Sequence, residues 1–149
     1  MSLEEDIYKE IILDNYRSKK NRMRLEDADL HSEGANPSCG DDVELFIKLN
    51  GDTIEAVTYE GIGCSICCAS ANLLCESLRG RSLAEAQQII LQYRDMLLED
   101  GEPEFAEEIS DLEAMQGVKN YPVRIKCALL AWNTVRDMLQ DSAGAGDNA

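Results

Sequence analysis

The 149-residue chain is short of positive charge, of histidine and of aromatic side chains, and each shortage narrows what it does. Fourteen Lys and Arg stand against 29 Asp and Glu, for a formal net charge of −15. Nucleic-acid binding draws on clustered cations, so this balance argues against it, and equally against an anionic membrane surface. An acidic surface suits solubility and docking to a basic patch on another protein. No apolar run approaches the ~20 residues of a membrane-spanning helix. The first residues carry Glu4, Glu5 and Asp6 where a secretion signal has an apolar stretch. Aromatics are only 5% of the chain, yet a 44% hydrophobic share leaves enough aliphatics for one core without disulfide staples. The six cysteines are therefore expected in a reducing cytoplasm, where metal or sulfur chemistry is favoured over structural disulfides.

The patterns that are present predict an α+β domain. Leu3, Ile7, Ile11 and Leu13 fall at near-helical spacing and predict a first amphipathic helix over 3–17. The stretch RSKKNRMR, 17–24, gathers Arg17, Lys19, Lys20, Arg22 and Arg24 and reads as a connector: a solvated helix end, or part of a docking surface. Residues 25–40 are polar and end in the turn-rich GANPSCG, where Pro37 discourages helix. Val43, Leu45, Ile47 and Leu49 alternate as a strand does. Asn50-Gly51-Asp52 then signals a hairpin turn, and TIEAVTYE returns as its partner.

After Gly61 and Gly63 the period becomes helical, up to a stop at Gly80. Ser82 and Glu85 form a capping-box pattern ahead of a helix with Leu83, Ala86, Ile90, Tyr93 and Leu97 on one face. The stretch EDGEPE breaks that helix. Phe105, Ile109 and Leu112 open a short one ending near Gly117, and Pro122 starts a last helix running to about Met138. The expectation is one domain over 1–140, a small antiparallel sheet with helices packed on one face, and a disordered tail at 141–149.

Three cysteines stand at the edges of these elements. Cys39 and Asp41 are i and i+2 in a turn entering a strand, so their side chains can share one side. Cys64 opens a helix, where free N–H groups and the dipole favour a thiolate. Cys127 lies early in the last helix, just after Arg124 and Lys126, which favour the same ionisation. Three thiolates and one carboxylate are enough to close a zinc site. The alternative at each position is a cysteine packed as a small apolar side chain. Cys64-x-x-Cys67 at a helix start also suits a thioredoxin-like site, but the strands before it form a hairpin rather than a βαβ unit. A zinc ribbon needs a second Cys-x-x-Cys, which is absent. A structural zinc domain that binds a protein partner is a further alternative.

NPSCGD, GCSI followed by ASA, and VKNYPVRIKCALLAW occur in that order and resemble the IscU/NifU-type iron–sulfur cluster assembly proteins. More narrowly, they look like the SufU branch. The long segment between Cys64 and Cys127 resembles that branch's insertion, and Lys126 stands where cluster-scaffold relatives typically have a histidine ligand. The only histidine here, His31, lies in the polar connector. The resemblance implies one Zn²⁺ on Cys39, Asp41, Cys64 and Cys127, and a SufS-type pyridoxal-phosphate cysteine desulfurase as partner. It also implies Cys39 as the sulfur acceptor that passes sulfur on to downstream cluster assembly proteins, with Asp41 tuning how readily the site opens. The alternative within the family is a scaffold for a [2Fe–2S] cluster.

GCSICC departs from the family's usual run at Cys67 and Cys68. Cys68 lies about one turn, roughly 6 Å, beyond Cys64, so either thiol is a candidate alternative ligand or resolving thiol; the other reading packs both against the sheet. Cys75, about 16 Å along the axis, is too far to share the metal and is expected in the core.

Overall fold

The computed structural model of the protein describes residues 3–99 and 102–147, with side chains described as far as residue 141. The order is α1 (Leu3–Arg17), β1 (Leu30–Asn36), β2 (Asp41–Asn50), β3 (Thr53–Ile62), α2 (Ser65–Leu78), α3 (Leu83–Leu98), a 3₁₀ segment (Glu107–Asn120) and α4 (Pro122–Asp147). The strands form one antiparallel sheet in the order β1-β2-β3. The hairpin of β2 and β3 turns at Gly51, whose φ of 62° is a conformation that favours glycine.

The sheet has one strand more than the sequence pattern predicts. Leu30–Asn36 contains one large apolar residue, so alternation did not mark it as a strand. It is a strand because β2 supplies a paired edge, from Leu30↔Ile47 to Asn36↔Asp41, and because Gly34 lets α4 approach closely. A Cβ at Gly34 would strike the Thr134 side chain and press on Leu130.

Val43, Leu45, Ile47, Val57 and Tyr59 point from the sheet into a core shared with α2, α3 and α4. Its centre is the stacked pair Tyr93 and Trp132, with ring centroids 3.9 Å apart. Trp132 Nε1–H donates to Ser70 Oγ at 3.0 Å, and Ser70 donates to the Ala128 carbonyl at 2.6 Å, so the buried polar atoms there are partnered. The predicted capping box is present: Ser82 Oγ accepts from Glu85 N–H, and Glu85 accepts from Ser82 N–H. Gly80 follows α2 with φ 81°.

Three expectations need correction. Of the stripe predicted for α1, Ile11 and Leu13 are half-buried but Leu3 and Ile7 are 76% and 49% exposed, and the inward side runs instead through Tyr8, Ile12 and Asn15, with Ile12 packed against the core. A polar contact sets the side it presents: Asn72 on α2 donates to Asn15 Oδ1 at 2.7 Å. The segment with Ile109 and Leu112 is 3₁₀ with a kink at Ile109 rather than a short α-helix, and it runs to Asn120. The last helix ends at Asp147 rather than near Met138, inside the segment 141–149; residues 148 and 149 lie outside those described.

The basic connector lies against the sheet, and most of its cations have intramolecular partners. Arg22 donates to the Gly61 carbonyl at 2.7 Å, Lys20 pairs with Glu76 at 3.3 Å and Arg24 pairs with Glu44 at 3.4 Å. Buried Asn21 accepts at its carbonyl from Tyr59 N–H and donates to Asn72. These contacts favour a structural role for the stretch.

Candidate metal centre

One end of the sheet collects chain from four places. The turn 37–40 joins β1 to β2 and carries Cys39, with Cys39 N–H donating to the Asn36 carbonyl at 3.1 Å. Asp41 is the first residue of β2 and only 1% exposed. Asp42 pairs with Ile62, so the junction from β3 to α2 runs beside Asp41, and Cys64 N–H donates to Asp41 Oδ1 at 2.9 Å. The fourth piece is α4: buried Asn36 at the end of β1 donates to Cys127 Sγ at 3.8 Å, a long contact to a weak acceptor. Ser38 fixes the Asn36 amide by donating to its Oδ1 at 2.9 Å.

Ligand atoms of Cys39, Asp41 and Cys127 all lie within 4.8 Å of one another. Cys64 is not in that close set, although its thiol lies against that of Cys127. Its Sγ caps α2 by accepting from Cys67 N–H at 3.4 Å. Burial pushes the Cys127 thiol up, and contacts with Asp41, Cys39 and Cys64 push it further. The exposed Arg124 guanidinium reaches the thiols of Cys64 and Cys127, whose charge holds its proton more firmly than usual, that of Cys64 most.

The donor chemistry fits a soft divalent cation. Asp41 Oδ1 is taken by Cys64 N–H, while Oδ2 is buried without a partner, a costly arrangement unless a cation completes it. Thiolates with a single carboxylate select Zn²⁺ or an iron–sulfur centre over Mg²⁺ or Ca²⁺.

Of the other residues singled out by the sequence, Cys67, Cys68 and Cys75 are buried, and burial pushes all three thiols up. His31 is on the outer face of the sheet, 3.4 Å from Glu44 and stacked on Phe46, away from the cysteines. Sequence reasoning did not assign Asn36 or Ser38 a place at the site. The signal was present, since both lie inside NPSCGD, but a polar residue before a turn is too common to single out.

The NifU-like N terminal domain model matches residues 7–139. The chain belongs to that family. Among its members, the zinc-dependent sulfurtransferase SufU of Bacillus subtilis is 35% identical over 131 residues, 88% of each chain. The iron–sulfur cluster assembly scaffold protein IscU of Thermotoga maritima is 37% identical over 134 residues, 90% of this chain and 93% of that one. A crystal structure of a putative scaffold protein for the SUF system from Fervidobacterium islandicum superposes with TM-score 0.81 at 38% identity, covering 90% of this chain and 97% of the other. The family therefore includes both names that the sequence left as alternatives.

Proposed function

We propose that this protein is a cytoplasmic sulfur carrier of iron–sulfur cluster assembly, holding one Zn²⁺ on Cys39, Asp41, Cys64 and Cys127. The observation that carries the reading is the buried, half-partnered Asp41 carboxylate set with the thiols of Cys39 and Cys127 and held by Cys64 N–H, in a chain 35% identical to a zinc-dependent sulfurtransferase. Zn²⁺ bound there would keep the thiols ionised at neutral pH, against the burial that otherwise protonates Cys127.

In this reading Cys39 is the ligand that leaves the set. It is half-buried on a four-residue turn, and Gly40 beside it has φ 72°, whereas Cys127 is anchored on a helix in the core. Its partner is a SufS-type pyridoxal-phosphate cysteine desulfurase bearing a cysteine persulfide. The Cys39 thiolate attacks the terminal sulfur of that persulfide, forming a new S–S bond on Cys39. The enzyme's own S–S bond breaks, its cysteine leaves as the thiolate, and the persulfide proton stays with the transferred sulfur. A downstream cluster assembly protein then takes this sulfur. Arg124 stands at the exposed side of the thiols, where its positive charge offsets the negative charge carried by sulfur through the transfer.

The second reading, assembly of a [2Fe–2S] cluster on Cys39, Cys64 and Cys127, rests on the relatives named as scaffolds at similar identity. Sulfur mapping separates the two. After incubation with a desulfurase and L-cysteine, peptide mass spectrometry is expected to find one added sulfur on Cys39, and none on the protein with Cys39→Ser. Sulfur on another cysteine, or on none, would overturn the assignment.

A further inference from the structure

The first turn of α2 carries two thiols that this sulfur transfer does not use. Cys68 is engaged, its Sγ donating to the Gly63 carbonyl at 3.6 Å. Cys67 is not: its Sγ is fully buried and has no hydrogen-bond acceptor among the described residues. Its position is tied to the site through Gly63. The point a Gly63 Cβ would occupy lies 3.0 Å from Cys67 Sγ and 3.2 Å from Asp41 Oδ1, so thiol and carboxylate flank one glycine. A core filler needs none of that placement. Asp41 Oδ2, buried and unpartnered, is the second sign that a cation belongs there.

Cys67 is the third residue of α2, counted from its N-cap Cys64. In a first turn no earlier helical turn blocks its rotamers, and one χ1 step swings a sulfur by about 3 Å. That range suits a thiol beside a ligand set rather than in it.

We propose that Cys67 is a reserve ligand: when Cys39 leaves to accept sulfur, Cys67 takes its place, so that Asp41, Cys64, Cys67 and Cys127 keep the cation bound. The inference rests on the four-residue metal site proposed above. Cys67 gives up its proton on ligation, and the desulfurase cysteine that leaves as the thiolate can take one up, so the ligand exchange and the sulfur transfer balance together.

The test is metal binding, not sulfur transfer. Zn²⁺ affinity by chelator competition, and the sulfur-to-metal charge-transfer band with Co²⁺, are measured on four proteins: the unchanged chain, Cys39→Ala, Cys39→Ala with Cys67→Ala, and Cys39→Ala with Cys75→Ala. The Cys39→Ala protein is expected to keep one metal per chain and a band of three-thiolate intensity. Adding Cys67→Ala removes about a third of that band and weakens Zn²⁺ binding at least about tenfold, whereas adding Cys75→Ala changes neither. Should the Cys67→Ala double variant fail to fold, Cys67→Ser in its place gives the same contrast. Equal affinities and bands for Cys39→Ala with and without the Cys67 change would overturn the reserve ligand alone. An unchanged chain that binds no Zn²⁺ would overturn the site itself.

Discussion

Gly63→Ala is the substitution that probes the packing of this site most directly. The added methyl would meet Cys67 Sγ at 3.0 Å, Cys67 Cβ at 3.1 Å and Asp41 Oδ1 at 3.2 Å. None of these atoms is the loose end of a long side chain. Cys67 is held by its N–H to Cys64 Sγ, the turn is closed by Cys68 N–H to the Cys64 carbonyl at 3.0 Å, and Asp41 is held by Cys64 N–H. A χ1 step of Cys67 would relieve its sulfur but not its Cβ or the Asp41 oxygen, so the start of α2 must move off the start of β2. Overpacking of this kind costs about 1–3 kcal/mol, offset by about 0.4–1 kcal/mol from the stiffer unfolded chain. At roughly 2–4 °C per kcal/mol for a chain of this size, the metal-free protein should melt several degrees lower. The same shift spreads the ligand set, so Zn²⁺ affinity should fall by about 10–100-fold, as when the support of a metal ligand is lost. Thermal unfolding in the presence of a chelator, and chelator competition for Zn²⁺, read the two effects separately. A Gly63→Ala protein with unchanged melting and unchanged affinity would refute the packing of α2 against Asp41.

Two other outcomes follow from contacts elsewhere in the core and at the site. Ser70→Ala removes the acceptor of the buried Trp132 N–H, and chemical denaturation should show a loss of about 1–3 kcal/mol; a neutral result would mean another group accepts that hydrogen bond. Because burial raises the Cys127 thiol, it still holds its proton at neutral pH in the metal-free protein, and ligation must expel it. Metal uptake should therefore release protons, and apparent affinity should rise from about pH 6 to pH 8; calorimetry in two buffers of unlike ionisation enthalpy measures the release, and a pH-independent affinity would contradict it.

Much of the fold was written in local pattern. The β2–β3 hairpin, the Ser82 capping box, the Gly80 stop and the start of α4 at Pro122 each follow from a few neighbouring residues. β1 was not legible, because Leu30–Asn36 becomes a strand only through its pairing with β2 and the contact of α4 at Gly34. The side of α1 that faces inward was misread for the same reason: it depends on Asn72, a residue more than fifty positions away.

The site divides in the same way. Cys39, Asp41 and the helix-start position of Cys64 were readable from turns and caps. That Cys127 joins them depends on Asn36 and the path of α4 along β1, which no local spacing encodes. The side on which Cys67 lies, toward Asp41 rather than the sheet alone, was likewise a tertiary fact.

The central claim is that the occupant of the Cys39, Asp41, Cys64 and Cys127 site is zinc, held for sulfur transfer. The direct measurement is the metal and acid-labile sulfide content of protein purified without oxygen from cells supplied with both iron and zinc. The account predicts about one zinc per chain and no sulfide. Iron and sulfide in near-equal amounts, with a visible chromophore, would contradict it and make the protein a cluster scaffold.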